Sequence, residues 1–277
     1  NYTNGFGCTS TATDSIIIID YPAVSFSGLL SDYCVDALPV TLSGTPVAGS
    51  FSGNGVSGTS FDPTSAGVGG PYEVIFTYTD NYGCTSADTQ LTTVHALPVV
   101  SFSGLATDYC EDAQSVTLTG SPAGGTFSGP GVSGNTFNPA SAGAGGPHTI
   151  TYDYMAAAGC SDQTSQTTTI HPTPNVSFSG LSPTYCVDEA PVTLTGSPAG
   201  GTFSGPGISG NTFSPGIAGA GTHSITYDYT DANGCSTSET QTVTVNVLPV
   251  VSFSGLNPDY CGDALSANSV SYTHLRA

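Results

Sequence analysis

The hexapeptide Val-Ser-Phe-Ser-Gly-Leu begins at Val24, Val100, Val176 and Val251, which sets a step of 76, 76 and 75 residues. A fixed step of this size means one supersecondary unit made several times over. Each copy must therefore find its core within about 76 residues. Tyr-Cys and an Asp follow every copy: Tyr33, Cys34, Asp36; Tyr109, Cys110, Asp112; Tyr185, Cys186, Asp188; Tyr260, Cys261, Asp263. A second cysteine series, Cys8, Cys84, Cys160 and Cys235, keeps the same step. The period gives three whole repeats, 22–97, 98–173 and 174–248. Residues 1–21 match the tail of a repeat, and 249–277 match only a beginning. The expectation is a piece of a longer repeated protein. Residues 270–277 leave the repeat pattern and resemble a translated transposase sequencing adaptor. They are set aside from the fold argument as an artefact.

Repeat 98–173 illustrates the local reading. Val100–Ser103 and Val116–Gly120 alternate apolar and polar residues, as half-buried strands do. Leu105–Ala113 reads as a loop holding Cys110 and Asp112. Ser121–Gly125, Gly129-Pro130-Gly131 and Ser133-Gly134-Asn135 are turns. His148–Tyr154 is the longest strand, and Ser165–Ile170 the last. Pro139 ends a short strand, and Ser141–Pro147 is a crossing of small residues. About seven short strands and no helical period predict an all-β fold: tandem antiparallel β-sandwich repeats of immunoglobulin-like type.

The order Ser-Phe-Ser-Gly, Tyr-Cys-x-Asp, Val-Thr-Leu-Thr-Gly, Thr-Phe-Ser-Gly-Pro-Gly, Thr-Tyr-Asp-Tyr and Gly-Cys, over residues 1–265, resembles tandem PKD-like and Ig-like repeats. Such repeats occur in large secreted bacterial surface adhesins of the gliding-motility, type IX-secreted kind. The resemblance implies export, often by the type IX route, and roles in adhesion or gliding.

The charge balance excludes several partners. Arg276, in the tail set aside, is the only Lys or Arg against 20 Asp and Glu, for a net charge of −19. Phosphate binding needs Lys or Arg, so nucleic acid is excluded as a partner, and an anionic membrane surface likewise. No apolar run of membrane-spanning length is present, so no membrane insertion is expected in this segment. Such a charge keeps an extended protein soluble and attracts divalent cations.

The eight cysteines imply an oxidising compartment. Zinc is disfavoured because no C-x-x-C or Cys/His cluster exists. Three pairings stay open. Bonds within each repeat give Cys34–Cys84, Cys110–Cys160 and Cys186–Cys235, leaving Cys8 and Cys261 over. Bonds from one repeat to the next give Cys34–Cys160 and Cys110–Cys235. A third scheme uses Cys84–Cys110. The first faces a geometric objection. In the usual sandwich topology the early loop and the last hairpin lie at opposite ends, while bridged Cα atoms stand within about 7 Å.

Asp36, Asp112, Asp188 and Asp263, with Asp32, Asp108 and Asp259 before the first-series cysteines, are candidate calcium ligands, because calcium takes several carboxylate and carbonyl oxygens. The competing reading is that Asp merely shapes a turn. Asp80 and Asp231 precede second-series cysteines, but the middle repeat has Ala156 there. His148 and His223 take the place of Tyr72, and His95 and His171 that of Asn246, as surface or packing positions do. No Ser-His-Asp set recurs, so no catalytic residue is assigned and no enzyme is expected. Gly-Pro-Gly runs without a Lys or a following helix are turns, not phosphate loops. Thr-rich last strands such as Thr167–Thr169 suit solvent-facing β positions, with ice or glycan contact as the rival.

These readings converge on a structural and adhesive stalk segment of a cell-surface protein. Rigid beads of roughly 35–40 Å, from about ten strand residues at 3.3 Å each, would be joined by Pro-containing linkers such as Ala96-Leu97-Pro98. Its surface or glycan ligand would be met by regions outside this segment. The alternative is a spacer or carbohydrate-binding accessory array within a secreted polysaccharide-degrading enzyme.

Overall fold

Alternating apolar and polar positions demand a sheet with one covered face, and every repeat supplies two such sheets. The computed structural model describes residues 1–254 and 270–273. They fall into two compact units. One comprises 1–105, 116–137 and 149–166; the other comprises 106–115, 138–148 and the chain from 167 onward.

In the first unit, the hairpin β1 (Tyr2–Thr3) and β2 (Thr9–Ser10) precedes a full set of elements. These are β3 (Ser25–Ser27), β4 (Asp32–Cys34), β5 (Val40–Thr41), β6 (Ser43–Thr45), β7 (Ser50–Gly53), β8 (Val56–Ser57), β9 (Ser60–Phe61), α1 (Pro63–Ala66), β10 (Gly69–Thr79) and β11 (Thr85–His95). One sheet has the order β4-β11-β10-β7. Opposite it stand the pair β3-β6 and the triplet β5-β9-β8. Every pairing is antiparallel except β4 with β11, which is parallel. The two layers close on Phe26, Tyr33, Leu42, Phe61, Val74, Phe76 and Val94, all buried. Full burial of a side chain such as Phe61 contributes about 1.5–3 kcal/mol.

The pattern recurs one step on. In the first unit Ser101–Ser103 pairs with Thr119–Ser121, and Thr126–Ser128 with Thr151–Asp153. In the second unit Asp108–Cys110 runs parallel to Thr169–His171. The third repeat builds a sheet of Thr184–Cys186, Ser236–Asn246, Gly221–Thr230 and Thr202–Ser204, in that order. Its core holds Phe178, Tyr185, Leu194, Phe213, Ile225, Tyr227, Val243 and Val245. The fold is thus tandem antiparallel β-sandwich repeats, as the alternation predicts.

Three local expectations differ. The Tyr-Cys segment is strand rather than loop, because its Tyr turns inward and its backbone pairs with the end of the last strand. Val116–Gly120 is not one strand. It breaks at Leu118, whose side chain is buried and whose N–H donates to Asn135 O at 2.8 Å, while residues on either side pair with different strands. The small-residue crossing opens with a helical turn, Pro63–Ala66, Pro139–Ala142 or Pro215–Ala218. Pro suits the first helical position, and the Asp62 and Asn138 side chains cap from the preceding residue. Val270–Thr273 pairs antiparallel with Val251–Ser254.

A glycine sets how closely the layers approach. The Phe76 ring lies against Gly44, where a Cβ would stand 2.2 Å from it. In the third repeat the Tyr227 ring covers Gly196 at 2.0 Å from such a Cβ, and its hydroxyl donates to Pro198 O at 2.6 Å.

One core position carries a defect. Thr92 is buried, and its hydroxyl has no hydrogen-bond partner. The matching Thr168 hydroxyl reaches Thr107 O at 3.3 Å, and the third repeat has Val243 there. An unpaired buried hydroxyl costs about 1–3 kcal/mol. Thr92→Val should therefore raise stability by about 1 kcal/mol in urea unfolding. A lower midpoint in the variant contradicts the assignment.

Candidate functional site

The recurring reactive side chains gather at the two ends of each last strand. At one end, β4 carries Cys34, whose register partner is His95, the final residue of β11. At the other end Cys84 stands just before Thr85, where β11 begins. Eleven strand residues at about 3.3 Å each separate the two ends by roughly 35 Å. The third repeat repeats the arrangement, with Cys186 aligned on Asn246 and Cys235 just before Ser236. Bridged Cα atoms need to lie within about 7 Å. Bonds Cys34–Cys84 and Cys186–Cys235 are therefore out of reach.

The disulfides formed are Cys34–Cys160 and Cys110–Cys235, each with Cα atoms 5.5 Å apart. Each ties the loop end of one repeat to the last hairpin of the next, and each lies inside one compact unit. Of the three open schemes, this is the second. Cys110–Cys160 and Cys84–Cys110 do not form, since Cys110 and Cys160 bond elsewhere. Cys8, Cys84 and Cys186 are free thiols. Cys261, Asp259 and Asp263 lie outside the described residues.

The loop end is held by its own side chains. The Tyr33 hydroxyl accepts from Leu30 N at 2.9 Å, with Tyr109 and Tyr185 doing the same for Ala106 and Ser182. The chain then turns, with Ala37 N donating to Cys34 O and Ala113 N to Cys110 O. Asp36, Asp112 and Asp188 sit in these turns, exposed. The Thr64 hydroxyl of α1 donates to Val35 O at 2.8 Å and fixes the turn after Cys34.

The hairpin end is closed by the residue four before the cysteine. Asp80 Oδ1 accepts from Tyr82 N and Cys84 N, each at 2.9 Å, and Asp231 Oδ1 from Asn233 N and Cys235 N, each at 2.9 Å. Asn4 does the same for Phe6 and Cys8. Asp80 and Asp231 are the turn-shaping carboxylates of the simpler reading, and the Asn4 amide oxygen takes the same role. Ala156 keeps the backbone bond to Cys160 O without a side-chain acceptor.

Asp32 and Asp108 have a different task. His95 Nε2 lies 2.8 Å from Asp32 Oδ1, and His171 Nε2 lies 3.0 Å from Asp108 Oδ1. Hydrogen bonding to His95, then to Ser31, holds the Asp32 carboxyl below its usual value; His171 and Thr107 do so for Asp108. Asp231 is lowered chiefly by the Cys235 backbone N–H, with His171 adding a smaller pull. Sequence reasoning placed these histidines on the surface and missed the pairing. The signal was present, because the third repeat changes both partners together, to Thr184 and Asn246. Equally unforeseen are Gln90, Gln166 and Gln241, whose side chains donate to Phe26, Phe102 and Phe178 O at 2.8–2.9 Å.

Among the described residues, no three His, Cys, Asp or Glu side chains come together to hold a metal. The described candidate calcium ligands, Asp32, Asp36, Asp108, Asp112 and Asp188, are thus not gathered into such a group, and Asp32 and Asp108 are engaged by histidines. Beside the Cys160 hairpin an open depression of about 610 Å³ is lined by Gly125, Asp153, Tyr154, Met155, Asp162 and Gln163, among others. Its lining includes carboxylates but no His, Cys, Lys or Arg. Among the described residues no helix is long and apolar enough to cross a membrane.

No protein-family model matches the chain, and no curated protein matches it. Among solved structures it is similar to a Ca2+-stabilized adhesin that helps an Antarctic bacterium reach out and bind ice, at 16% identity and a TM-score of 0.34, covering 86% of this chain and 78% of that one. An ICAM-5 ectodomain fragment aligns at 12% identity and a TM-score of 0.38, covering 82% and 76%. A Bacteroides ovatus mixed-linkage glucan utilization protein, SGBP-B, aligns at 16% identity and a TM-score of 0.19, covering 91% and 76%. Likenesses at these scores carry no argument about activity. The chain's own coordinates define its class: a tandem β-sandwich repeat protein with disulfides running from repeat to repeat.

Two outcomes follow. The Cys34–Cys160 bond closes a span of 126 residues, for which chain entropy gives a ceiling of about 5 kcal/mol. Replacing both cysteines by Ser should lower the urea midpoint strongly, and an unchanged midpoint would show the bond to be idle. Acid should also destabilise the fold. The folded carboxyl of Asp32 sits below its usual 3.8, so its contribution is present above that pH and is lost as pH falls through the folded value. Asp32→Asn should flatten the decline of melting temperature below about pH 4. An equally steep decline in the variant contradicts the pairing.

Proposed function

We propose that this chain is a load-bearing segment of a secreted surface protein, whose repeats space an adhesive region away from its anchor. The observation that carries the reading is the overlapping pair of disulfides. Disulfides persist in oxidising, extracellular surroundings. Their placement is also what tension requires. The shortest covalent route runs to Cys34, across to Cys160, back along the chain to Cys110 and across to Cys235. With both bonds in place, unfolding frees only the residues on that route, while 35–109 and 161–234 stay out of the load path. A net charge of −19 keeps such chains apart and draws divalent cations diffusely. Calcium enters the reading in that diffuse sense alone. Type IX export and a gliding role belong to the family resemblance. Catalysis has no part in the proposal.

The reading is tested by single-molecule pulling from both termini. With disulfides intact, the total contour gain should be roughly half that of the reduced chain, counting about 3.4 Å per freed residue. Equal gains before and after reduction reject the load-bearing role. A glycan array probed with the same chain checks the alternative of a carbohydrate-binding array. The exposed Tyr82 and the depression at Tyr154 are where a sugar would be sought, and saturable binding there would favour that alternative.

A further inference from the structure

The depression beside the Cys160 hairpin has a counterpart in the third repeat, and the two differ. In the third repeat it is lined by Asp228, Tyr229, Thr230 and residues 236–238 and measures about 330 Å³, against about 610 Å³ in the second. The frames are the same. The segments Val116–Gly131 and Val192–Gly207 are identical residue for residue. In both repeats a core tyrosine pins the glycine turn that forms one rim. The Tyr152 hydroxyl donates to Pro122 O at 2.5 Å and accepts from Gly125 N at 2.8 Å, and Tyr227 does the same for Pro198 and Gly201. The opposite rim is the hairpin, tied down by the disulfide at Cys160 or at Cys235. The lining differs in three side chains: Met155, Asp162 and Gln163 stand where the third repeat has Thr230, Thr237 and Ser238. The Thr230 and Ser236 hydroxyls bond each other at 2.8 Å, as those of Thr79 and Thr85 do in the first repeat. Met155 replaces the threonine of that clasp and leaves the depression open. Its side chain is 68% exposed.

The opened depression joins an apolar strip, Met155 and Tyr154, to the exposed carboxylates of Asp153 and Asp162, with no basic side chain in its lining. Asp162 Oδ1 accepts from Gln163 N at 2.8 Å, which leaves Oδ2 to a ligand. Among the described residues no third His, Cys, Asp or Glu is grouped with these two, so they are too few to cage a bare metal ion. We propose that this depression docks an arginine side chain of a basic partner protein. The arginine methylenes lie along Met155 and Tyr154, as long cationic side chains cover apolar surface while the head stays wet. The guanidinium meets the carboxylates, for which its planar fork of donors is better shaped than an ammonium. The partner is a different protein, because the single Lys or Arg of this chain lies in the tail set aside, against 20 Asp and Glu. That charge complementarity steers a basic surface toward the chain, and the depression gives it one place to settle. The inference goes beyond the load-bearing reading and does not rest on it.

Met155 is the chain's one methionine, so methyl-labelled methionine gives a single NMR signal placed in the depression. The full chain is titrated at low ionic strength with Nα-acetyl-arginine methylamide, and separately with its neutral isostere Nα-acetyl-citrulline methylamide. The arginine probe should shift the signal saturably and the citrulline probe should not. Asp162→Thr installs the residue of the third repeat, which the same frame carries, and should weaken the arginine response about fivefold, the size of one surface ion pair. Asp228→Asn removes an equal charge outside the depression and should leave the response unchanged. An arginine titration without saturation overturns the proposal, and so does an equal response to citrulline. Equal weakening by Asp162→Thr and Asp228→Asn also overturns it, because that is diffuse attraction to the net charge and not a site.

Discussion

The parallel pairing of the Tyr-Cys strand with the final three residues of the last strand governs the rest of each repeat. Asp32, Tyr33 and Cys34 lie opposite Thr93, Val94 and His95. In that register Tyr33 drops into the core, Asp32 meets His95, and Cys34 sits where the repeat ends. A shift of one residue would turn Tyr33 outward and Cys34 inward, because side chains alternate across a strand. The pairing also makes within-repeat bridging impossible, since the hairpin cysteine begins the strand that the loop cysteine finishes. A disulfide in this protein can only look outward, to another repeat.

That constraint changes what the small core has to accomplish. A repeat of about 76 residues buries too little surface to be more than marginal alone. Cross-links reaching into the next repeat lower the entropy of the unfolded chain over spans of 126 and 125 residues. Stability is then shared between neighbours. Local features serve the same end. The Asp80 and Asp231 turns preset the hairpin cysteines, and the Thr64 hydroxyl presets the turn after Cys34.

Much of this was legible in the residues. Alternation around Phe26, Phe76 and Val94 gave the strands and the core, because a half-buried sheet leaves a period-two imprint. The period gave the repeats. Other features were hidden for identifiable reasons. Tyr-Cys read as loop because three residues are too few to show alternation. The helical turns at Pro63, Pro139 and Pro215 are too short for a helical period; only the capping residue followed by Pro marks them. The pairing of Asp32 with His95 spans 63 residues, and no local pattern reports it. The joint replacement by Thr184 and Asn246 does report it, once the copies are compared with one another.

The comparison among copies also separates what the scaffold needs from what it tolerates. Ala156 replaces the acceptor of Asp80 and Asp231, yet Cys160 still forms its bond. The hairpin backbone is therefore enough to place the sulfur, and the carboxylate only steadies it. The histidine–carboxylate pair is dispensable in the third repeat, so it tunes the loop end rather than builds it. The two cysteine positions recur in every copy, together with the Tyr that precedes the first and the Gly that precedes the second. Tyr fixes the loop end through its hydroxyl, and Gly supplies the positive φ of the hairpin turn, 86° at Gly83, 84° at Gly159 and 86° at Gly234. Both serve to aim a sulfur. A repeat arranged around two outward-looking sulfurs is specified by how it joins its neighbours.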